Sequence, residues 1–395
     1  MNPTQLALVC DYPEEGWPSM DLVGEMIQTH LSLEHADQIA VSRVCPPYRH
    51  RVGRWPLIQK SGLARNADRL LNRFWDYPHA LRPRSKRGEF DLFHLVDHSY
   101  SQLVHVLPKN RTIVTCHDLD TFRCLLDPVR EPRPYWFRAL AQRTLKGMQS
   151  AAMVVCDSKA TMNALLEHDL VPEARLRVVY LGTHPECSIE SDPAADEAAT
   201  RRLGPRDPQG PPEIVHVGST IPRKRIDVLI ATFASIRQAY PGARLIRAGG
   251  AFTADQEQQA RELGVSDAIV TLPFCSRSIL AAVYRRASLV LLPSEAEGFG
   301  LPVAEALACG APLLASDLSV LREVGGESPV YCPVGDVPAW SEAARLLLME
   351  QPGSADWQAR RERGLDTAQR FVWSQHVAQL VEIYDEVLGR VSHNP

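Results

Sequence analysis

The stretch LLPSEAEGFGLPVAEALACG, residues 291–310, decides the fold. An apolar strand ends at Leu292, a loop with Gly298 and Gly300 follows, and Pro302 stands where a helix would begin. Proline suits that position because the N–H it lacks is one the first helical turn leaves unpaired anyway. Gly310 is placed to end the helix, since glycine accepts the left-handed conformation of a C′ residue. Strand, glycine loop and helix form the repeating unit of a parallel sheet covered on both faces. The loop delivers unpaired backbone N–H groups at a helix N-terminus, which attracts anions, and its glycines let the backbone approach a ligand closely.

Glu297 precedes the two glycines and Glu305 lies one turn into the helix. Carboxylates so near an anion site need another partner, and sugar hydroxyls, which donate hydrogen bonds to carboxylates, supply one. A phosphate flanked by two polyols is the outline of a nucleotide sugar.

The same rhythm extends in both directions. In the first half, strand-like runs at Leu6–Cys10, Gln38–Val41, Leu92–Val96, Thr112–Cys116, Ala152–Cys156 and Arg177–Tyr180 alternate with helical patterns such as Met20–His30, Tyr135–Met148 and Lys159–Glu167. After a break, runs at Glu213–Val217, Ala243–Ala248, Ala268–Leu272, Leu289–Leu292, Pro312–Ala315 and Pro329–Tyr331 alternate with helices at Arg225–Ala239, Asp255–Leu263, Ile279–Arg286, Val303–Ala308 and Pro338–Met349. The pattern predicts an α/β protein with two doubly wound domains in tandem: 1–185, then 213–372, with a final amphipathic helix in 373–395 packing back on the first. The acidic, proline-bearing residues 186–212 read as a linker or surface insert. In doubly wound sheets ligands sit at the carboxyl ends of the strands, so the crevice between the domains is the expected site.

The 395 residues carry a net charge of −4, with 45 % hydrophobic and 23 % charged residues, an ordinary globular mixture that excludes disordered and fibrous designs. No apolar run approaches the length of a membrane span, and Leu6–Cys10 is too short for a signal-peptide core and lacks a basic leader, so a cytoplasmic protein is expected. Nine cysteines without a Cys-x-x-Cys pair predict reduced, mostly buried thiols. Charge is uneven: residues 41–88 hold 12 Lys and Arg against Asp68 and Asp76. Interleaved with Tyr48, Trp55, Phe74, Trp75 and Tyr77, these cations fit peripheral contact with an anionic membrane on its inner face. A solvated, loop-rich surface segment is the competing reading. No base-reading module accompanies the stretch, so no nucleic acid is expected.

Glu297-x7-Glu305 enclosing Gly-Phe-Gly-Leu-Pro resembles the signature of the retaining glycosyltransferases of family 4, which have the GT-B fold. The resemblance extends to Val217-Gly218-Ser219 with Arg223-Lys224, to His117-Asp118 after an apolar strand, to Leu181-Gly182, and to Trp373 and Tyr384 in the last helix. It implies a bacterial mannosyltransferase-like enzyme that moves a hexose from GDP-mannose or a UDP-sugar to a glycan or lipid-linked saccharide, with no metal and no cofactor. By the same resemblance Glu297 and the backbone of Gly298, Phe299, Gly300 and Leu301 hold the transferred sugar and diphosphate. Glu305 takes the ribose, and Gly218, Ser219, Arg223 and Lys224 hold the diphosphate. The resemblance gives His117 the role of contacting the transferred sugar or positioning its reacting face, while Asp97 and His98, which end another strand, are expected from that position to reach the acceptor. Two departures stand out. Ser219 occupies a place where many members have arginine. The loop after the first strand keeps a single glycine, Gly16, between acids and Trp17, which weakens a phosphate-cradle role but leaves it a place beside the acceptor. Asp118-Leu119-Asp120 spells a metal motif of the other sugar-transferase fold, and His94, Asp97, His98 and His105 could be grouped as ligands, but their spacing predicts no metal site. An idle nucleotide-sugar-binding subunit and another GT-B enzyme, such as an epimerase, remain alternatives.

Overall fold

The computed structural model describes residues 2–53, 62–273 and 275–389. The chain forms two compact units: residues 1–181 with 373–395, and residues 182–372.

The first unit holds strands β1 (Thr4–Val9), β2 (Ile39–Val44), β3 (Leu92–Leu95), β4 (Thr112–Cys116), β5 (Met153–Cys156) and β6 (Leu176–Val178), all parallel, in the order β2-β1-β3-β4-β5-β6. The direction of winding reverses between β1 and β3. Strands β3, β4 and β5 are buried along their whole length, as continuous apolar runs require when helices cover both faces. The helix Trp373–Val387 belongs to this unit and buries Trp373, Val377, Leu380 and Tyr384. Tyr384 shares a 2.8 Å hydrogen bond with Nδ1 of buried His94, whose Nε2 meets the Thr115 hydroxyl at 2.7 Å, so His94 is a sheet-spanning structural residue and no metal ligand.

The second unit holds β7 (Glu213–Val217), β8 (Arg244–Ala248), β9 (Ile269–Leu272), β10 (Leu289–Leu292), β11 (Leu313–Ser316) and β12 (Val330–Cys332), again parallel, in the order β12-β11-β10-β7-β8-β9. This is the Rossmann order, and its switch point lies between β7 and β10. No helix among the described residues is long and apolar enough to cross a membrane, and all nine cysteines are unpaired.

Two expectations give way. Residues 186–212 are no linker: they lie within the second unit and contain the helix Pro193–Leu203. Asp192 caps it by accepting from the Ala194 and Ala195 amides, and Pro193 opens it instead of breaking it. Ala195 and Ala199 pack on Ala282, and Arg285 pairs with Asp196 at 2.6 Å.

The competing reading of residues 41–88 as loop-rich does not hold for the described residues either. They form the helix Gly62–Leu71, a wide turn at Asn72–Asp76 and the helix Tyr77–Lys86. Asp68 accepts the backbone amides of Arg51, Val52 and Gly53, tying the preceding loop to the first of these helices. Arg51 grips Asp76 through two hydrogen bonds of 2.5 and 2.6 Å. Arg69 and Arg73 reach the buried Glu15, Arg43 faces Asp21, and Arg84 and Arg87 share Glu89. Three acids outside the stretch, Glu15, Asp21 and Glu89, thus offset part of the local excess of charge. Trp55 lies outside the described residues.

Candidate active site

In the second unit the residues singled out in the sequence converge on the β7/β10 switch point. The register pairs Val215 with Val290, so the chain leaves both strands side by side. After β7 the chain runs through Gly218 and Ser219 to a short turn at Pro222–Lys224; after β10 it runs through Glu297 and Gly298 to Gly300. The two loops are laced together. The Glu295 amide donates to the Arg223 carbonyl at 2.8 Å, and the Arg223 guanidinium donates to the Ala296 carbonyl at 2.8 Å and to Glu297 Oε2 at 3.2 Å. Lys224 Nζ donates to Glu297 Oε1 at 2.5 Å. Burial alone would push the Glu297 carboxyl up, but Lys224 and Arg223 outweigh it and hold the group below the usual carboxylate range, so it is ionised. Two cations and one carboxylate thus form a single, largely buried cluster with one net positive charge.

The helix Leu301–Ala308 starts beside this cluster with Gly300 as its N-cap and Pro302 in the second helical position, one residue later than the sequence suggested. Gly300 has φ +93°, and a Cβ there would stand 2.7 Å from Leu321, so both conformation and space demand glycine. Phe299 turns inward against Phe371, ring centroids 5.4 Å apart, which leaves its backbone to line the loop. Leu301 opens the helix and is half-buried.

Glu305 is only 2 % exposed. It accepts a 3.0 Å hydrogen bond from the Tyr284 hydroxyl and pairs with Arg277 at 3.4 Å. Burial pushes its carboxyl up, and Arg277 and Tyr284 offset only part of that. Neither partner carries a local signal in the sequence, since both belong to the preceding helix Arg277–Arg286.

In the first unit a second polar cluster lies at the carboxyl ends of β1, β3, β4 and β5. The register of β1 with β3, Val9 beside Leu95, puts Asp11 next to Asp97; that of β4 with β5, Cys116 beside Cys156, puts His117 next to Asp157. Asp97 accepts the Ser99 amide at 2.8 Å and the Ser99 hydroxyl at 2.5 Å, and lies 3.1 Å from His98 Nδ1. Burial works against its charge, but His98 overcomes it: the Asp97 carboxyl is held well below its usual range and the His98 imidazole is raised. Asp11 is pushed the other way, by burial and by the neighbouring Asp97 charge, so it keeps its proton. His98 Nε2 lies 3.7 Å from Asp118, which also accepts the Asp120 amide at 2.9 Å in a local turn.

His117 is placed differently from its expected role. Its Nδ1 meets Asp157 at 2.9 Å and its Nε2 donates to the Val96 carbonyl at 2.8 Å. Burial lowers an imidazole's pKa, but the hydrogen bond and charge of Asp157 reverse this and raise it to about 9. The ring is a buried cation with both nitrogens engaged, so no nitrogen is left to contact a sugar. It braces the ends of β3, β4 and β5 against one another. Gly16 likewise stands apart from the cluster: its amide closes the short turn Pro13–Glu15 on the Pro13 carbonyl at 3.0 Å. The loop reaches the cluster through Glu15, which pairs with Arg73 at 3.1 Å, while Arg73 donates to the Ser99 hydroxyl at 2.6 Å and lies over the Tyr100 ring. Asp11, Asp157 and Arg73 escaped the sequence reading; the first two had a usable signal, an acid placed directly after an apolar strand.

Residues 29–186 match the family model described as Glycosyltransferase Family 4, and residues 202–364 match that described as Glycosyl transferases group 1. Among curated proteins the chain is similar to the D-inositol 3-phosphate glycosyltransferases of Mycolicibacterium smegmatis, 28 % identical over 61 % of this chain and 54 % of the relative, and of Thermobispora bispora, 32 % identical over 61 % and 57 %. The match thus spans about half the length of these relatives. Among solved structures, sucrose-phosphate synthase from Thermosynechococcus elongatus superimposes with a TM-score of 0.72 at 18 % identity, covering 98 % of this chain and 100 % of that one. HepE from Anabaena, in complex with UDP and glucose, gives 0.69 at 17 % identity, covering 97 % and 100 %. These structural likenesses are likenesses of fold. With one family model on each unit, in chain order, and the same architecture throughout, the chain belongs to the family 4 glycosyltransferases of the GT-B fold.

Proposed function

We propose that the chain is a retaining glycosyltransferase that moves a hexose from a nucleoside-diphosphate sugar, GDP-mannose or a UDP-sugar, to a glycan or lipid-linked saccharide. The observation that carries this reading is the buried Arg223–Lys224–Glu297 cluster beside the Gly300 helix start. Arg223 and Lys224 neutralise the charge that grows on the leaving diphosphate as the anomeric bond breaks. Glu297, ionised and fixed, accepts hydrogen bonds from hydroxyls of the transferred sugar, and Glu305 takes the ribose. The acceptor hydroxyl attacks the anomeric carbon from the face the diphosphate leaves, and its proton passes to the departing phosphate oxygen, so the configuration is kept. The chain's own cations supply the charge, and turnover is expected to survive EDTA. His117 and Asp157 take no proton in this scheme; they hold the strand ends that present Asp97 and His98 to the acceptor.

A thermal-shift panel of UDP, GDP, ADP and their sugars tests the donor class. One nucleotide at 100 times its dissociation constant is expected to stabilise the protein by about 2.7 kcal/mol, and Glu305→Ala to lose that shift. Assays of transfer should offer inositol 3-phosphate beside saccharides, because the relatives' name supports a small phosphorylated polyol as a second acceptor reading. Nucleotide binding without turnover on any acceptor would favour the idle-subunit reading; no binding at all would remove the transferase reading.

Contact with an anionic membrane finds better support away from residues 41–88, seven of whose cations are already in ion pairs. The start of the helix Tyr135–Ser150 exposes Tyr135 (87 %) and Trp136 (55 %) beside Val129 and Phe137, with Arg138 near them and Arg130 and Arg133 in exposed pairs with Asp127 and Glu131. Exposed aromatics flanked by arginines suit a bilayer interface. Sedimentation with phosphatidylglycerol vesicles is expected to weaken with salt and with Trp136→Ser/Phe137→Ser, and to be unchanged by Trp75→Ser. The opposite pattern would return the contact to residues 41–88.

A further inference from the structure

Arg247 lies on β8 of the second sheet, between β7 and the edge strand β9, beside His216 of β7 in register. It is 0 % exposed. An arginine so buried ordinarily faces a carboxylate. No carboxylate pairs with Arg247 among the described residues. Its guanidinium instead donates to two backbone carbonyls: Nη2 to Gly218 at 2.9 Å, and Nη1 to Gly250. Its Cζ also stands 5.0 Å from the Phe252 ring centroid.

The two carbonyls belong to the turns that follow β7 and β8, and these turns are pressed together. A Cβ on Gly249, whose φ is +144°, would lie 2.0 Å from the Gly218 carbonyl oxygen, so no other residue fits there. In a trans peptide the C=O and the following N–H point in opposite directions, and the chain has no cis peptide bond. Carbonyls drawn inward to Arg247 therefore turn the Ser219 and Ala251 N–H groups outward. Neither amide donates a hydrogen bond among the described residues. Adjacent outward N–H groups over a buried positive charge form an anion-binding concavity.

We propose that Arg247 is a positioning residue of the diphosphate subsite: it fixes the Gly218–Ser219 and Gly250–Ala251 peptides so that their N–H groups, backed by its own charge, receive an anionic phosphoryl group. The inference rests on the nucleotide-sugar reading for the identity of the anion, while the anion site itself does not. His216 lies against the same turn, its Cε1 3.3 Å from a Cβ built on Gly218, and stays neutral because burial, Arg247 and Lys224 all oppose its protonation. Of the cations near the Gly218 turn, Arg247 faces no carboxylate among the described residues, whereas Lys224 and Arg223 also hold Glu297.

The test compares the full-length protein with Arg247→Met and Arg247→Lys, using inorganic pyrophosphate, UDP, GDP and the corresponding nucleosides as probes in calorimetry. Arg247→Met is expected to bind pyrophosphate and the preferred nucleoside diphosphate roughly 10-fold to 100-fold more weakly, with nucleoside binding unchanged. Arg247→Lys keeps the charge and one carbonyl contact, and is expected to recover part of the loss. A purely structural role would instead weaken nucleoside and diphosphate alike in both variants, in proportion to their loss of thermal stability, and would overturn the proposal. So would unchanged pyrophosphate binding in Arg247→Met, or a wild-type protein that binds neither pyrophosphate nor any nucleotide. Should Arg247→Met fail to fold, the same comparison with Arg247→Lys decides: selective loss of the diphosphate increment supports the proposal, and parallel loss of both overturns it. Pyrophosphate binding that depends on Arg247 in a protein that turns over no nucleotide sugar would keep the anion site and discard the transferase reading.

Discussion

Lys224→Met is expected to cost about 3 kcal/mol of stability and to lower kcat/KM on the order of 10²-fold to 10³-fold. The stability loss follows from the state of Glu297. Its carboxylate is buried and ionised only because Lys224 and Arg223 face it. Removing the nearer cation leaves Arg223, 3.2 Å away, as the remaining cation facing a carboxylate whose burial opposes its charge, a larger penalty than the pair's net contribution when intact. The kinetic loss has a separate origin, since the same ammonium neutralises the departing diphosphate. The double variant Lys224→Met/Glu297→Gln separates the two. It carries neither half of the Lys224–Glu297 pair, and most of the stability is expected to return while turnover does not. Urea denaturation and steady-state kinetics on the four members of the cycle measure both. Additive stability changes would show that Lys224 and Glu297 do not act as a coupled pair, and the assignment of a shared charge cluster would fall with it.

The same cluster shows what the sequence could and could not disclose. Strand runs such as Thr112–Cys116 and Leu289–Leu292 were legible because a strand buried on both faces is apolar without interruption. Glu297, Arg223 and Lys224 were legible because they lie in the loops that follow such strands, where doubly wound sheets place their ligands. That they would pair with one another was not legible, because residues more than seventy positions apart leave no local trace of contact. Residues 41–88 read as unusually cationic because a count along the chain cannot see Glu15 or Glu89 folding back against Arg73 and Arg84. Pro193 read as a break because proline ends helices as well as starting them, and only the Asp192 side chain on the next two amides tells which. Arg247 stayed hidden for the opposite reason: a charge in a strand argues for solvent, and its true neighbours are backbone carbonyls, which carry no sequence signature. For His117 the position was legible and the partner was not, since Asp157 comes from the neighbouring strand.

Between pH 6.5 and about 9 the protein is expected to lose about 3 kcal/mol of stability, and Asp157→Asn is expected to abolish most of that slope. His117 titrates near 6.5 when unfolded and at about 9 in the folded chain, where Asp157 outweighs the cost of burying the imidazolium. A group whose pKa rises on folding stabilises fully below its unfolded pKa, and that contribution drains away as pH climbs through the folded value. His98, raised by Asp97, adds in the same direction. Asp97 and Glu297, both held low, are ionised throughout this window and add no slope, while His94, His216 and His376, all lowered by burial, are neutral in the folded state and oppose the slope near pH 6.5, where their unfolded imidazoles still bind protons. Asp157→Asn keeps the size of the side chain but removes the charge, so the imidazole loses the partner that offsets its burial. The variant should be less stable than the parent at pH 6.5 and approach it at pH 9. Urea midpoints at half-unit pH steps resolve the difference. A parent curve flat across this range, or a variant that keeps the parent's slope, would show that His117 is neutral in the folded protein. The ring would then hold one proton on Nε2 for the Val96 carbonyl and leave Nδ1 as an acceptor, which requires the Asp157 carboxyl to be protonated. The two states place opposite demands on the strand ends that carry Asp97 and His98, because a buried ion pair resists separation far more strongly than a neutral hydrogen bond.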